Sequence, residues 1–254
     1  MDIVTAGTAI VIGKKLLGKT FDVISDDIAK LYEKGRDKII EKTFQKVNDP
    51  DDGKSTNLRV TRDVFWNGAF TDEEICAEYF GGILASSRSK DGKDDSGVYY
   101  VDIIKSLSSN QLMLHYLIYY SFNKKLIEDP SKNTLNPGQE TELHSVTIYL
   151  FLGELIKITN NDDIGRDLHA LHAKGLIGDF QTGHHKLKNN DKIVPYLKVS
   201  PKPLGIQLYA IAHNKLDLWR KFSVIDFGKF QSIDVPKFIG TSVKQLLESA
   251  GITE

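Results

Sequence analysis

Apolar positions recur at three- and four-residue steps through residues 20–47: Ile28, Leu31, Tyr32, Ile39, Ile40, Thr43, Phe44 and Val47. This spacing predicts one long amphipathic helix with those residues on its inward face. Lys30, Glu33, Lys34, Arg36, Asp37, Lys38, Glu41 and Lys42 fall on the other side with mixed signs, which reads as a solvated face. The polar segment Asn48-Asp49-Pro50-Asp51-Asp52-Gly53 ends the helix in a loop. Thr71 and Glu74 then stand at capping-box spacing, ahead of an apolar face formed by Ile75, Cys76, Tyr79, Phe80, Ile83 and Leu84. Gly81-Gly82 interrupts that face and marks a close helix approach. Residues 88–97 read as an exposed loop. A second capping pattern, Ser108 to Gln111, opens a helix reaching about Leu126 that is apolar nearly all round, as expected of the centre of a core.

The Pro-containing loop Glu128–Gly138 is the expected boundary between a helical domain at 1–127 and a second domain at 139–254. Residues 142–158 carry both signals: the β-branched run Val146-Thr147-Ile148 favours a strand, while the total length favours a helix. A short helix over Ile164–Ala173 stops at Lys174-Gly175. A strand opens at Leu176-Ile177, a polar hairpin spans Gln181–Lys192, and Tyr196–Val199 returns. Ser200-Pro201 starts a further helix, proline being favoured at the first helical position. A short helix at Thr241–Ser249 closes the chain. Helix, glycine, strand, wing, strand, helix is a winged-helix pattern. The expected fold class is therefore mostly α (α+β), with a helical N-terminal part and a winged-helix-like C-terminal part that carries a small β-hairpin and a C-terminal extension.

Composition narrows the functional classes. The chain has 254 residues with 33 Lys plus Arg against 34 Asp plus Glu, a net charge of −1 that excludes a strongly basic nucleic-acid binder or an acidic mimic. The single cysteine, Cys76, excludes an internal disulfide. The longest apolar runs, Ile3–Ile12 and Ile148–Ile156, are about half the roughly twenty residues of a spanning helix. With Asp2 at the start and lysines after the first run, no signal peptide is read, and a cytoplasmic location is expected.

Gly13-Lys14-Lys15-Leu16-Leu17-Gly18-Lys19-Thr20 matches the phosphate-loop pattern, and Val98-Tyr99-Tyr100-Val101-Asp102 could supply a magnesium-side carboxylate. The bulky Leu16-Leu17 pair and the continuation of the helical pattern favour helix over nucleotide cradle. His169, His172, His184 and His185 invite a zinc reading but lack thiolates and a known ligand spacing. His115 and His144 read as core-edge histidines. The acidic clusters at residues 49–52, 91–95 and 160–163 lack the twelfth-position Glu of a calcium loop. No catalytic residue, metal or cofactor is expected. From Arg166 to Lys202 there are seven basic residues against Asp167, Asp179 and Asp191, a local positive excess. Arg166, Lys186, Lys188, Lys192 and Lys198 are accordingly the candidate nucleic-acid or partner contacts.

Several segments in order resemble the abortive-infection alpha proteins of bacteria, a domain family linked to phage resistance. They are Gly13–Gly18 leading into the helix with Ile28 to Ile40, Asp72–Ala85, Ile103–Ser108, Leu168–Ile177 and Leu204–Tyr209. Together they cover about residues 10–215. Tyr79-Phe80 stands where a tryptophan is often expected, and the tail after Lys215 has no counterpart. The resemblance implies antiphage defence of the abortive-infection type, exerted by binding. The partners expected are a protein or a second copy, with nucleic acid and shallow membrane contact through Ile3–Ile12 as further routes. The alternative function is a winged-helix DNA-binding regulator.

Overall fold

The computed structural model describes residues 19–70, 72–188 and 191–252. Helix α1 (Lys19–Lys46) begins with Lys19 and Thr20, so the long helix is present as expected; Ile3–Ile12 and the rest of the phosphate-loop match lie outside the described residues. Its inward face differs from the one the spacing predicts. Ile39 is buried, but Phe44 is 60% exposed and Lys42, assigned to the solvated face, is buried. The cause is tertiary. Gly35 lies against the backbone of Ala69, and Gly81 lies 2.7 Å from Lys42 Cβ at the point where its own Cβ would stand. Contact through glycine turns α1 so that Lys42 and Lys46 meet carboxylates on the neighbouring helix. Lys42 Nζ lies 2.5 Å from Glu74 and 2.9 Å from Glu78, and Lys46 also pairs with Glu78.

Strands β1 (Ser55–Thr56) and β2 (Arg88–Ser89) form a small antiparallel pair around α2 (Leu58–Gly68) and α3 (Glu74–Ser86). The residue Thr71 of the expected capping box lies outside the described residues. Glu74 does not occupy the third helical position that the box requires: α3 starts at Glu74 with Glu73 as N-cap, and the Glu74 carboxylate turns to Lys42 and Ser232. Ile75 to Ala85 is buried throughout, because α3 is packed on both sides. Gly81 faces α1. Gly82 faces α9 (Pro203–Ala212), where an added Cβ would collide with the Ala212 carbonyl. The paired glycines therefore do mark close approach, one on each side. Residues 98–102 are helical, inside α4 (Gly97–Ile104), and Asp102, the possible magnesium-side carboxylate, pairs with Lys105 at 2.6 Å. In α5 (Ser109–Glu128) the capping box forms as expected: Gln111 N donates to Ser108 Oγ at 3.2 Å and Ser108 N to Gln111 Oε1 at 3.0 Å.

The ambiguous stretch resolves into both structures it signalled. After α6 (Glu140–His144), residues Ile148–Phe151 form β3 and Leu152–Thr159 form α7. Then come α8 (Ile164–Ala173), a left-handed Gly175 at φ 67°, β4 (Ile177–Lys186) and β5 (Ile193–Pro201). The start of the next helix is displaced from the expected Pro201. Pro201 pairs with Ile177 at the end of β5, and Pro203 takes the first position of α9 behind Lys202. The sheet is completed by β6 (Ile239–Gly240), in the antiparallel order β4-β5-β3-β6, and α10 (Val243–Ser249) follows with Ser242 as its cap. The fold is mostly α (α+β), as the pattern predicts. One continuous hydrophobic core runs from Ile39 and Phe80 through Tyr116 to Leu150, Leu197 and Ile239, and so receives side chains from both sides of the loop at 129–138. A smaller cluster of Leu187, Val194 and Leu247 supports the hairpin. No helix among the described residues is long and apolar enough to cross a membrane.

Candidate nucleic-acid interface

Helix α8 has an inner and an outer face because Ile164, Leu168 and Leu171 recur at helical spacing and are buried. Asp163 caps the helix by accepting from Arg166 N at 3.2 Å. Asp167 also turns inward, where it accepts from Asn161 Nδ2 at 2.6 Å and Gln111 Nε2 at 3.2 Å. One of the three acids that offset the local basic residues is thereby withdrawn from the surface. The outer face presents Arg166, His169, His172 and Lys174. Arg166 Nε lies 3.6 Å from Asp163 in an exposed pair of the kind that contributes little. His172 Nδ1 lies 3.0 Å from the Gly178 carbonyl, so it is the donor of that bond, and both His169 and His172 set their rings against Phe180. The four-imidazole arrangement is not formed: among the described residues no group of three or more His, Cys, Asp or Glu could hold a metal ion.

Strands β4 and β5 extend this surface as a two-stranded arm. Lys186 stands opposite Ile193 at its outer end and pairs with Asp191 at 2.8 Å. Lys188 and Lys192 are exposed near the same end, so three of the five candidate residues share the hairpin tip. Lys198 lies opposite Gln181 and Tyr149, five steps back along the strand, or roughly 17 Å from the tip. It is half-buried and faces away from the core that Leu197 and Val199 enter. The structure therefore gathers Lys186, Lys188 and Lys192, keeps Arg166 on the neighbouring helix, and sets Lys198 apart.

Comparison with protein-family models, curated proteins and solved structures returned no match. The chemistry of this chain rests on its own geometry.

Several interior groups had no signal in the spacing. His115 is not at the core edge but completely buried, 2.5 Å from the Tyr79 hydroxyl. Burial pushes it down to about 3, so it stays neutral at physiological pH. His213 stacks on Phe230 with centroids 4.5 Å apart. Its Nε2 is enclosed with no hydrogen-bond partner among the described residues, and burial with nearby Lys46 and Lys215 holds its pKa well below the usual histidine value. Lys46 also lies 4.8 Å over the Phe230 ring, and burial lowers its pKa against the opposing pull of Glu78. These groups join α1, α3, α5 and the 227–233 segment. His144, by contrast, is exposed at the end of α6.

Proposed function

We propose that this chain is an antiphage defence protein of the abortive-infection type that acts by binding rather than catalysis. Its contact surface is the outer face of α8 together with the β4–β5 hairpin, used as in a winged helix to engage nucleic acid. One observation carries the reading of that surface. Helices α7 and α8 are inserted between β3 and β4, and the hairpin then brings β5 back between β4 and β3. A winged helix needs this connection to hold a helix and an arm on the same side of a small sheet. The lysine-bearing tip supports phosphate contact, because exposed lysines displace counterions from a phosphate backbone. The defence setting rests on the order of the resembling segments, and a cytoplasmic location belongs with it.

The test is DNA binding by fluorescence anisotropy over a salt series, with plaquing measured on cells that carry the same variants. Duplex DNA should bind with an affinity that falls steeply with salt. Lys186→Glu, Lys188→Glu and Lys192→Glu together should abolish it and weaken protection against phage. Lys198→Glu should change it far less, since Lys198 sits away from the tip. Salt-independent binding, or full protection by the triple variant, would overturn the proposal.

A further inference from the structure

Opposite the α8 surface in character, a polar cleft of about 760 Å³ opens where three helices end. Val47, Asn48 and Asp49 follow the last turn of α1, Ser86 and Ser87 end α3, and Ile211 and Asn214 end α9. A helix C-terminus carries the negative end of the helix dipole. Convergence of three such ends gives the cleft a negative potential that favours a cationic ligand. A single side chain locks them together. Asn214, held in the left-handed region at φ 54°, donates to the Lys46 carbonyl at 2.8 Å and accepts from Ser86 Oγ at 3.1 Å. The cleft is thus built before any ligand arrives.

The charged side chains point the same way. Asp52 is already engaged by Arg88 at 2.6 Å and Lys54 at 3.6 Å, which uses up both cations of the lining. Asp49, Asp94 and Asp217 also line the cleft and have no ion-pair partner among the described residues. Tyr100 and Trp219 also line the cleft, with the Tyr100 hydroxyl fixed on Gln207 at 3.2 Å and Arg220 lying 4.6 Å over the Trp219 ring. Ser87, also lining the cleft, is buried, and its Oγ has no hydrogen-bond partner among the described residues. The carboxylates are too dispersed for a point ion, since no described group of three acidic or imidazole side chains could hold a metal. Spaced carboxylates instead match a chain of ammonium groups joined by methylenes, where each cation meets a carboxylate. The volume lies within the range usual for small-molecule sites.

We propose that this cleft binds a small organic polycation of the polyamine type, a ligand independent of the nucleic-acid surface. The test is calorimetric titration of the full chain with spermidine, without DNA, at low and high salt. One spermidine per chain should bind, with affinity decreasing as salt rises. The double variant Asp49→Asn with Asp217→Asn should weaken binding by about tenfold. A control pair outside the cleft, Asp162→Asn with Asp234→Asn, should leave it unchanged. Absence of binding, equal binding by the Asp49 and Asp217 variant, equal loss in the control pair, or displacement by magnesium at equal ionic strength would each overturn the proposal.

Discussion

At the scale of the residue, the interior is set by polar groups that stay neutral or stay paired. His115 bonds Tyr79, and His213 stands between Phe230 and Tyr209 with its Nε2 unpaired. Their depressed pKa values fix a pH dependence. In the unfolded chain both histidines take up a proton as pH falls through about 6.5, whereas in the folded chain they resist it. The unfolded state then binds more protons, so stability falls as pH is lowered from 6.5 toward the folded value of about 3 for His115. Each buried histidine contributes a slope of roughly 1.4 kcal/mol per pH unit inside that window. Depressed carboxylates such as Glu74 act lower, near and below the ordinary carboxylate range, so pH 6.5–5 isolates the histidines. Urea midpoints across this range should decline in the native chain and decline about half as steeply in His213→Phe, whose ring fits among the same aromatics. An unchanged slope in that variant would show that His213 is protonated in the fold.

At the scale of the element, helix contact is decided by where side chains are missing. Gly82→Ala places a methyl against the Ala212 carbonyl, and Gly81→Ala places one against Lys42 Cβ and Thr43 N. Neither backbone can give way without moving a whole helix, so each should cost about 1–3 kcal/mol in urea denaturation. Gly153→Ala in the first turn of α7 meets nothing within 4 Å and should be neutral or stabilising by up to about 1 kcal/mol. A loss at Gly153 equal to that at Gly82 would refute the close-approach account. The Ser108 cap and the Gly175 stop were legible in the sequence because each acts through its own backbone or a neighbour three residues away, and the glycine pair because a missing side chain in an apolar face is itself the mark of close approach, although its partners on α1 and α9 were not legible. The inward face of α1 was not. Its rotation depends on Glu74 and Glu78, which lie more than thirty positions on, and helical spacing alone treats Lys42 as a solvated charge. Pro201 satisfied the rule for a first helical position, and only its pairing with Ile177 across the sheet assigns it to a strand and leaves the helix start to Pro203. On the candidate interface, the lysines were visible as a cluster, but the inward turn of Asp167 and the distance of Lys198 from the tip needed the packed helix and the strand register.

At the scale of the whole molecule, α5 joins what precedes and follows the 129–138 loop. Its Asn123 side chain donates to the carbonyls of Phe222 and Ile225 at 2.7 and 2.8 Å and accepts from Phe227 N at 3.0 Å. The Tyr119 hydroxyl donates to the Leu176 carbonyl at 2.5 Å and accepts from Lys202 N at 3.0 Å, and the Tyr116 hydroxyl accepts from Phe230 N at 2.8 Å. Separating the two sides would leave these buried groups unpaired, at roughly 1–3 kcal/mol each, and would expose the shared core. Neither side can then unfold alone at low cost, and a single cooperative transition is expected. The chain carries its own reporters, because its two tryptophans fall on opposite sides of the loop. Trp66 in α2 is 71% exposed yet lies edge-on to Phe70, and Trp219 packs against the core beside Arg220. In Trp219→Phe only Trp66 emits, and in Trp66→Phe only Trp219 does. Within each variant, the urea midpoint from fluorescence should coincide with that from far-ultraviolet circular dichroism, and the slopes should agree. If Trp66 in the first variant reported a transition separate from the loss of helix, the hydrogen bonds of α5 would not couple the two sides, and the shared core would have to be weak enough to part along the 129–138 loop.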